Sequence, residues 1–186
     1  MLTASSVVAA QSSDMSGAWV AAITGYDATE LPNEDGPDQM VGLNIGYNWI
    51  RGNKLFGIEA EFGTSNAARH WDDYSVPGDH LYVDFGRDIY VGLRAGLKLT
   101  RRLAGYGKIG YANTLLKLDY DGPPEYRERY ARPGALYGFS TGAGIEWSIS
   151  DRWLLKSEYR YSNFHDGLYR QQGVIGVGFR IDTNLR

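Results

Sequence analysis

"GAGIEWSISDRWLLKSEYRYSNF", Gly142 to Phe164, carries two sets of side chains that alternate one for one. Beyond Asp151 one set is Trp153, Leu155, Ser157, Tyr159 and Tyr161, and the other is Leu154, Lys156, Glu158 and Arg160. Before it, Ala143, Ile145 and Trp147 alternate with Gly142, Gly144 and Glu146. A period of two is the mark of a β-strand, whose successive side chains point to opposite faces. Ser150-Asp151-Arg152 is the turn between two such strands. The ribbon therefore has one apolar face and one face of glycine and long charges, and the fold depends on which of them meets water.

The same rhythm runs through the chain. It predicts eight strands: Ser16–Tyr26, Met40–Arg51, Lys54–Ser65, Leu81–Leu99, Leu103–Asp119, Ala135–Ser150, Arg152–Phe164 and Gln172–Asp182. Connections alternate between short and long. Arg51-Gly52-Asn53-Lys54 is a tight hairpin signal, and Thr100-Arg101-Arg102 and Ser150-Asp151-Arg152 are equally brief. Asp27–Gln39, Asn66–His80, Tyr120–Gly134 and His165–Gln171 are long and polar. Short turns on one side and long loops on the other are the pattern of a transmembrane barrel. The mean hydropathy is negative, and no run of about 18 apolar residues offers a transmembrane helix. A membrane barrel escapes both tests, because only alternate residues meet lipid.

Glycine decides between a membrane barrel and a soluble, lipocalin-like one. The chain has 24 glycines among its 186 residues. They fall opposite the bulky residues: Val41, Leu43, Ile45, Tyr47 and Trp49 against Gly42, Asn44, Gly46 and Asn48, and Val91, Leu93, Ala95 and Leu97 against Gly92, Arg94, Gly96 and Lys98. On a solvated strand face glycine weakens the strand and packs nothing. Inside an eight-stranded barrel, only just wide enough for its side chains, glycine beside Lys, Arg and Glu makes room for the long ones. The apolar face then meets lipid. Trp49, Trp147 and Trp153 lie near the short turns, and Tyr159 and Tyr161 lie towards the loops. This is the arrangement of interfacial aromatic belts. The fold expected is all-β, an eight-stranded antiparallel up-and-down transmembrane barrel.

Net charge is −3, so no basic field for nucleic acid is evident. Cysteine is absent, which removes disulfides and thiolate metal sites. In Met1–Ala10, Val8 and Ala10 fall at the small-residue positions before a cut at Gln11. Residues 1–15 are therefore expected to be a signal remnant or disordered segment, 16–182 the barrel, and 183–186 a tail.

"YGFSTGAGIEWSISDRWLLKSEYRYSNF" resembles the penultimate hairpin of small outer-membrane barrels of the OmpA-like superfamily, above all the alphaproteobacterial porin-family barrels. "GLNIGYNWIRGNKLFGIEAEF" is similar to that family's second hairpin and "LRAGLKLTRRLAGYGKIGYA" to its middle one. The resemblance implies the outer membrane of a Gram-negative bacterium and insertion by the barrel-assembly machinery. Members usually finish on an aromatic residue that this machinery reads. Here Phe179-Arg180-Ile181 is followed by Asp182-Thr183-Asn184-Leu185-Arg186, a departure that bears on the assembly signal.

The inward charges expected are Glu59, Glu61, Glu146 and Glu158 against Arg94, Lys98, Lys108, Lys156, Arg160 and Arg180. Mixed signs in a narrow lumen should pair into a plug, and the alternative is a low-conductance pore gated by a Glu–Arg/Lys switch. His70, His80 and His165 fall in predicted loops, and no nucleophile–base signature supports a lipid-modifying enzyme. No catalytic residue, metal site or cofactor is assigned. The acidic first loop, Asp27, Glu30, Glu34, Asp35 and Asp38, reads as solvated surface or as a bridge to lipopolysaccharide phosphates through divalent cations. Arg127, Arg129 and Arg132, set among Glu125 and Glu128, would contact the same lipid directly or pair only within their own loop. The strands Leu81–Leu99 and Leu103–Asp119 exceed the roughly 9–11 residues needed to span a bilayer, and would present a surface to a protein partner. The role expected is structural or surface-interacting, in envelope integrity or adhesion.

Overall fold

The structure is a computed structural model that describes residues 15–29, 38–66, 68–126, 134–165 and 167–181. The expectations for residues 1–14 and 182–186, for Glu30, Glu34 and Asp35, and for Arg127, Arg129 and Arg132 lie outside the described residues. The strands are β1 (Gly17–Thr29), β2 (Asp38–Arg51), β3 (Lys54–Ser65), β4 (Ala68–Asp72), β5 (His80–Lys98), β6 (Leu103–Asp121), β7 (Gly134–Ser148), β8 (Trp153–Phe164) and β9 (Tyr169–Ile181). Every neighbouring pair is antiparallel. β1 pairs with β9, and β3 pairs with β5 from Lys54↔Leu97 to Thr64↔Arg87, so eight strands close on themselves. No described helix is long and apolar enough to cross a membrane; the crossing is by strands. Closure leaves no spanning strand with a free edge, the condition hydrocarbon imposes on a backbone with no water to bond.

The outer wall is apolar. Leu43, Ile45, Val91, Leu93, Ile109, Ile145 and Ile175 are each more than half exposed, in the middle of their strands. Trp49, Trp147 and Trp153 point outward near the short turns, and Tyr159 points outward towards the loops. Tyr161 is half-buried and stacks at 5.9 Å on Tyr169. The inner wall carries the charges and most of the glycines.

Two features depart from the sequence reading. Strand β1 turns Trp19, Ala21 and Ile23 inward, where they pack with Met40, Leu154 and Val174. The lumen is thus part apolar, with Trp19 almost fully buried. Its ring lies over Gly46, its cross-strand partner. A Cβ on Gly46 would stand 2.5 Å from Trp19 Cζ2 and 2.6 Å from the Ile58 carbonyl oxygen. Met15, expected in the N-terminal segment, is buried against Leu55 and Ala104 at the short-turn end.

The second departure is a ninth strand inside the expected loop Asn66–His80. β4 pairs with the start of β5, Asp72 opposite His80 and Ala68 opposite Asp84. Above β3 the sheet continues as a three-stranded extension, β4–β5–β6. A β-bulge between Phe85 and Asp88 marks its base. One extra residue exchanges the two faces of a strand. Below the bulge the odd-numbered apolar residues, Ile89, Val91 and Leu93, point outward. Above it Leu81, Val83 and Phe85 are buried, and Leu81 and Val83 pack with Tyr120, Trp71, Leu116 and Leu118. The exchange lets the apolar residues face outward in the barrel wall and lie buried in the extension. Gly46→Val is expected to destabilise the refolded barrel by about 1–3 kcal/mol or more through overpacking. Gly173→Val, at a site with nothing within 4 Å, leaves stability unchanged in the same urea titration.

Candidate functional site

Among the described residues the lumen gathers most of the buried charged side chains, because each inward strand position faces the opposite wall. Glu59 and Glu61 come from β3, Arg94 from β5, Lys108 from β6, Glu146 from β7, Lys156, Glu158 and Arg160 from β8, and Arg180 from β9. All are buried. Glu146 holds Arg94 Nη2 at 2.8 Å and Arg180 Nη2 at 2.7 Å. Glu158 accepts Lys156 Nζ at 2.8 Å, Lys108 Nζ at 3.2 Å and Arg160 Nη2 at 2.6 Å. Glu59 lies against Lys108 and within 3.6 Å of Lys156 and 3.7 Å of Arg94. Arg160 Nη1 reaches Glu61 at 2.5 Å.

Neutral groups complete the lattice. The Tyr106 hydroxyl donates to Glu158 at 2.5 Å. Asn44 donates to Glu61 at 3.0 Å and accepts from Lys156 at 3.0 Å. Asn48 accepts from Trp19 Nε1 at 3.3 Å and donates to the Met15 carbonyl at 3.3 Å. Aromatic faces cover the cations: Tyr106 lies 3.7 Å from Arg94, Tyr90 lies 4.3 Å from Lys108, and Trp19 lies 4.5 Å from Lys156. A cation over a ring face is attracted by the ring quadrupole. Trp19 carries no signal of a lumen position in the sequence, whereas Tyr90 shares the face of Arg94 and Tyr106 that of Lys108 on their strands. Lys98 shares their parity, but it is half-buried at the end of β5 and lies outside the ion-pair lattice.

A second cluster lies nearer the loops. Arg170 binds Asp27 through Nε at 2.8 Å and again through Nη2, and it holds Asp88 at 2.7 and 2.8 Å. Asp27, expected in an acidic surface loop, is fully buried, because β1 and β9 run farther than the pattern suggested. Arg170, expected in a loop, is in β9. Six carboxylates thus meet six bases in ion pairs among the described lumen residues. Between the two clusters lies a polar cavity of about 30 Å³, lined by Glu61, Asp88, Lys108, Ser140, Arg160 and Arg170 among others. This is room for about two waters.

Outside the lumen, one set of ligating side chains converges among the described residues: His70, Asp72 and His80 on the extension. His165 lies apart, stacked on Tyr137 at 4.1 Å. The tip between β4 and β5 is pinned by Asp79. Its carboxylate accepts from Ser75 N at 2.9 Å, Val76 N at 3.2 Å and the Tyr120 hydroxyl at 2.6 Å. Burial pushes the Asp79 carboxyl up, but these hydrogen bonds outweigh it and hold the group below the ordinary carboxylate value.

A closed eight-stranded wall with an apolar band, aromatic ends and a charged interior is the architecture of an outer-membrane barrel. Residues 1–180 match the outer membrane protein beta-barrel domain. The chain belongs to that family. It is 28% identical over 124 residues to the 22 kDa outer membrane protein of Rhizobium leguminosarum bv. viciae, covering 67% of this chain and 52% of that protein. It is 27% identical over 143 residues to the 25 kDa outer-membrane immunogenic protein of Brucella ovis, covering 77% and 64%. The chain therefore spans less than two thirds of the length of these relatives. Among solved structures it is similar to Ail, the attachment invasion locus protein of Yersinia pestis, crystallised with the heparin analogue sucrose octasulfate: TM-score 0.60, 16% identity, covering 90% of this chain and all of that one. Neisserial surface protein A gives TM-score 0.54 at 12% identity, covering 89% and 98%. Identities this low speak to the fold alone. The protein is an outer-membrane barrel of the Gram-negative type.

The lattice predicts unequal costs for removing a charge from this family member. Glu158→Gln leaves three buried cations short of a partner, and is expected to cost about 3–5 kcal/mol in the urea midpoint of the refolded barrel. Lys98→Ala, outside the lattice, should cost about 0.5 kcal/mol or less.

Proposed function

We propose that this barrel is a plugged one, and that its work is structural and at the cell surface: it stabilises the envelope and presents its outer end to other molecules. The observation that carries the reading is the lumen lattice. From Glu146 through Glu59 and Glu158 to Arg160 the ion pairs run from wall to wall, Trp19 fills the side of β1, and the cavity beside Arg160 has a volume of about 30 Å³. A wide aqueous channel needs about 16 strands; this wall has eight.

The outer end carries the contacts. The extension β4–β6 stands clear of the barrel rim and offers a polar outward face to a protein partner. Lipopolysaccharide is the lipid partner, met by the loops above the aromatic belt, and the barrel-assembly machinery is the partner for insertion. Ail is a barrel of similar fold that was crystallised with a sulfated sugar, and a polyanionic surface sugar is the same chemical class as a lipopolysaccharide core. No catalytic role follows from this reading; modified lipid appearing on incubation with purified barrel would overturn that part of it.

A second reading is favoured by one feature, the cavity beside Arg160. Arg160 bonds both Glu61 and Glu158, so an exchange of partners would open a narrow ion path. Planar-bilayer recording separates the two. The plugged barrel gives no stepwise conductance, in the native protein or in Glu61→Gln. Steps in the native protein that Glu61→Gln alters would establish the gated pore instead.

A further inference from the structure

The outward face of the extension carries a cluster whose ligating chemistry the functions above do not use. We propose that His70, Asp72 and His80 form a binding site for a divalent transition metal, with Zn²⁺ the ion that best fits the donors. The proposal is independent of whether the lumen is plugged.

Backbone register builds the site. His70 and Asp72 are two apart on β4 and so share a face. His80 on β5 stands directly opposite Asp72, and Tyr82 stands opposite His70. His70 Nε2 lies 3.0 Å from Asp72 Oδ1, and His80 Nδ1 lies 2.5 Å from the same oxygen. The three ligating atoms all fall within 4.8 Å of one another. In a tetrahedral centre with bonds of about 2.0–2.2 Å, ligand atoms stand roughly 3.3–3.5 Å apart. Small rotations of exposed side chains convert one arrangement into the other.

The ligands sit on a braced scaffold, which is what a precise site needs. Behind them Trp71, Leu81, Val83 and Tyr120 pack the other face. The turn that joins the two strands is held by Asp79, and by the Gly78 N–H donating to Asp73 Oδ1 at 2.6 Å. His70 is further oriented by stacking on Tyr82 at 4.6 Å and 16°. On the other side of His80, Asp121 of β6 is its direct cross-strand partner. From that position a rotation of the Asp121 side chain would bring a carboxylate to the other ring N–H of His80, the usual support of a metal-bound histidine.

Donor chemistry selects the ion. Two imidazoles and one carboxylate suit Zn²⁺, Ni²⁺ and Cu²⁺, whereas Ca²⁺ and Mg²⁺ take oxygen ligands. The side chains are 45%, 62% and 39% exposed, so the remaining coordination position is open to water or to a donor from a partner. The bland reading is a carboxylate accepting hydrogen bonds from two histidines. It predicts no metal affinity, and the two readings are therefore separable.

The test is titration of the refolded barrel in detergent with ZnCl₂ by calorimetry, together with the visible spectrum of the Co²⁺ form. One equivalent per chain and a tetrahedral Co²⁺ spectrum that Zn²⁺ bleaches are expected. His70→Asn, His80→Asn and Asp72→Asn should each weaken binding by about tenfold or more, with His165→Asn unchanged. Heat-modifiable gel migration monitors folding of every variant. Line broadening of the His70 and His80 ring protons by Co²⁺ in the native chain gives a readout that needs no variant. Absence of saturable binding, or binding that survives the three substitutions, would overturn the site.

Discussion

In the hydrocarbon of a bilayer no water is present to bond a free N–H or C=O, and each orphaned group costs several kcal/mol. The pairing of β3 with β5 over Lys54–Thr64 and Arg87–Leu97 removes the last spanning edge. Once the sheet is closed, the two faces of every strand have fixed and different surroundings. The outer face can only be apolar, and Leu43, Val91 and Ile145 supply it. The inner face meets the opposite wall across a narrow lumen. Glycines such as Gly46 make room for Trp19, and paired charges of both signs line the rest of the wall.

Burying so many charges is costly, and an ion-pair lattice is often no more stable than a well-packed apolar core. Its value lies in specificity. Glu158 takes cations from β6 and from its own strand, and Glu146 joins β5 to β9. A register slip by one residue would turn these groups into lipid. The lattice therefore penalises every alternative pairing far more than an apolar interior would. The Asp27–Arg170–Asp88 cluster extends the same logic to the rim, tying β1, β9 and β5 together just below the bulge.

Much of this was legible in the sequence, because period two survives wherever one face is greasy and the other charged. Strand β3 carries Phe56, Ile58 and Phe62 against Gly57, Glu59 and Glu61, and its ends were read to the residue. What escaped had physical reasons. The bulge at Phe85/Asp88 is invisible to parity, since Leu81, Val83, Phe85, Ile89 and Val91 keep one parity in sequence while changing sides in space. Only Gly86 and the interrupting Arg87 hint at it. Trp19 lies on a strand that is apolar on both faces, so no alternation marked it. Asp27 and Arg170 look like loop residues until β1 and β9 are seen to continue past them. His70 and His80 are brought together by a short strand of five residues, ARHWD, which has no apolar rhythm to announce it.

The orientation of the two faces is the claim on which the lattice, the belts and the bulge all rest. Because the chain has no cysteine, single cysteines carrying spin labels can be placed at Val91, Ile145 and Ile175 and, for comparison, at Ser140 and Ser162. In bilayer-reconstituted protein the first three should collide with dissolved oxygen and be shielded from a water-soluble nickel chelate, while the last two should be shielded from oxygen. Nickel access at Val91 and Ile145, with oxygen access at Ser140, would turn the barrel inside out and contradict the account.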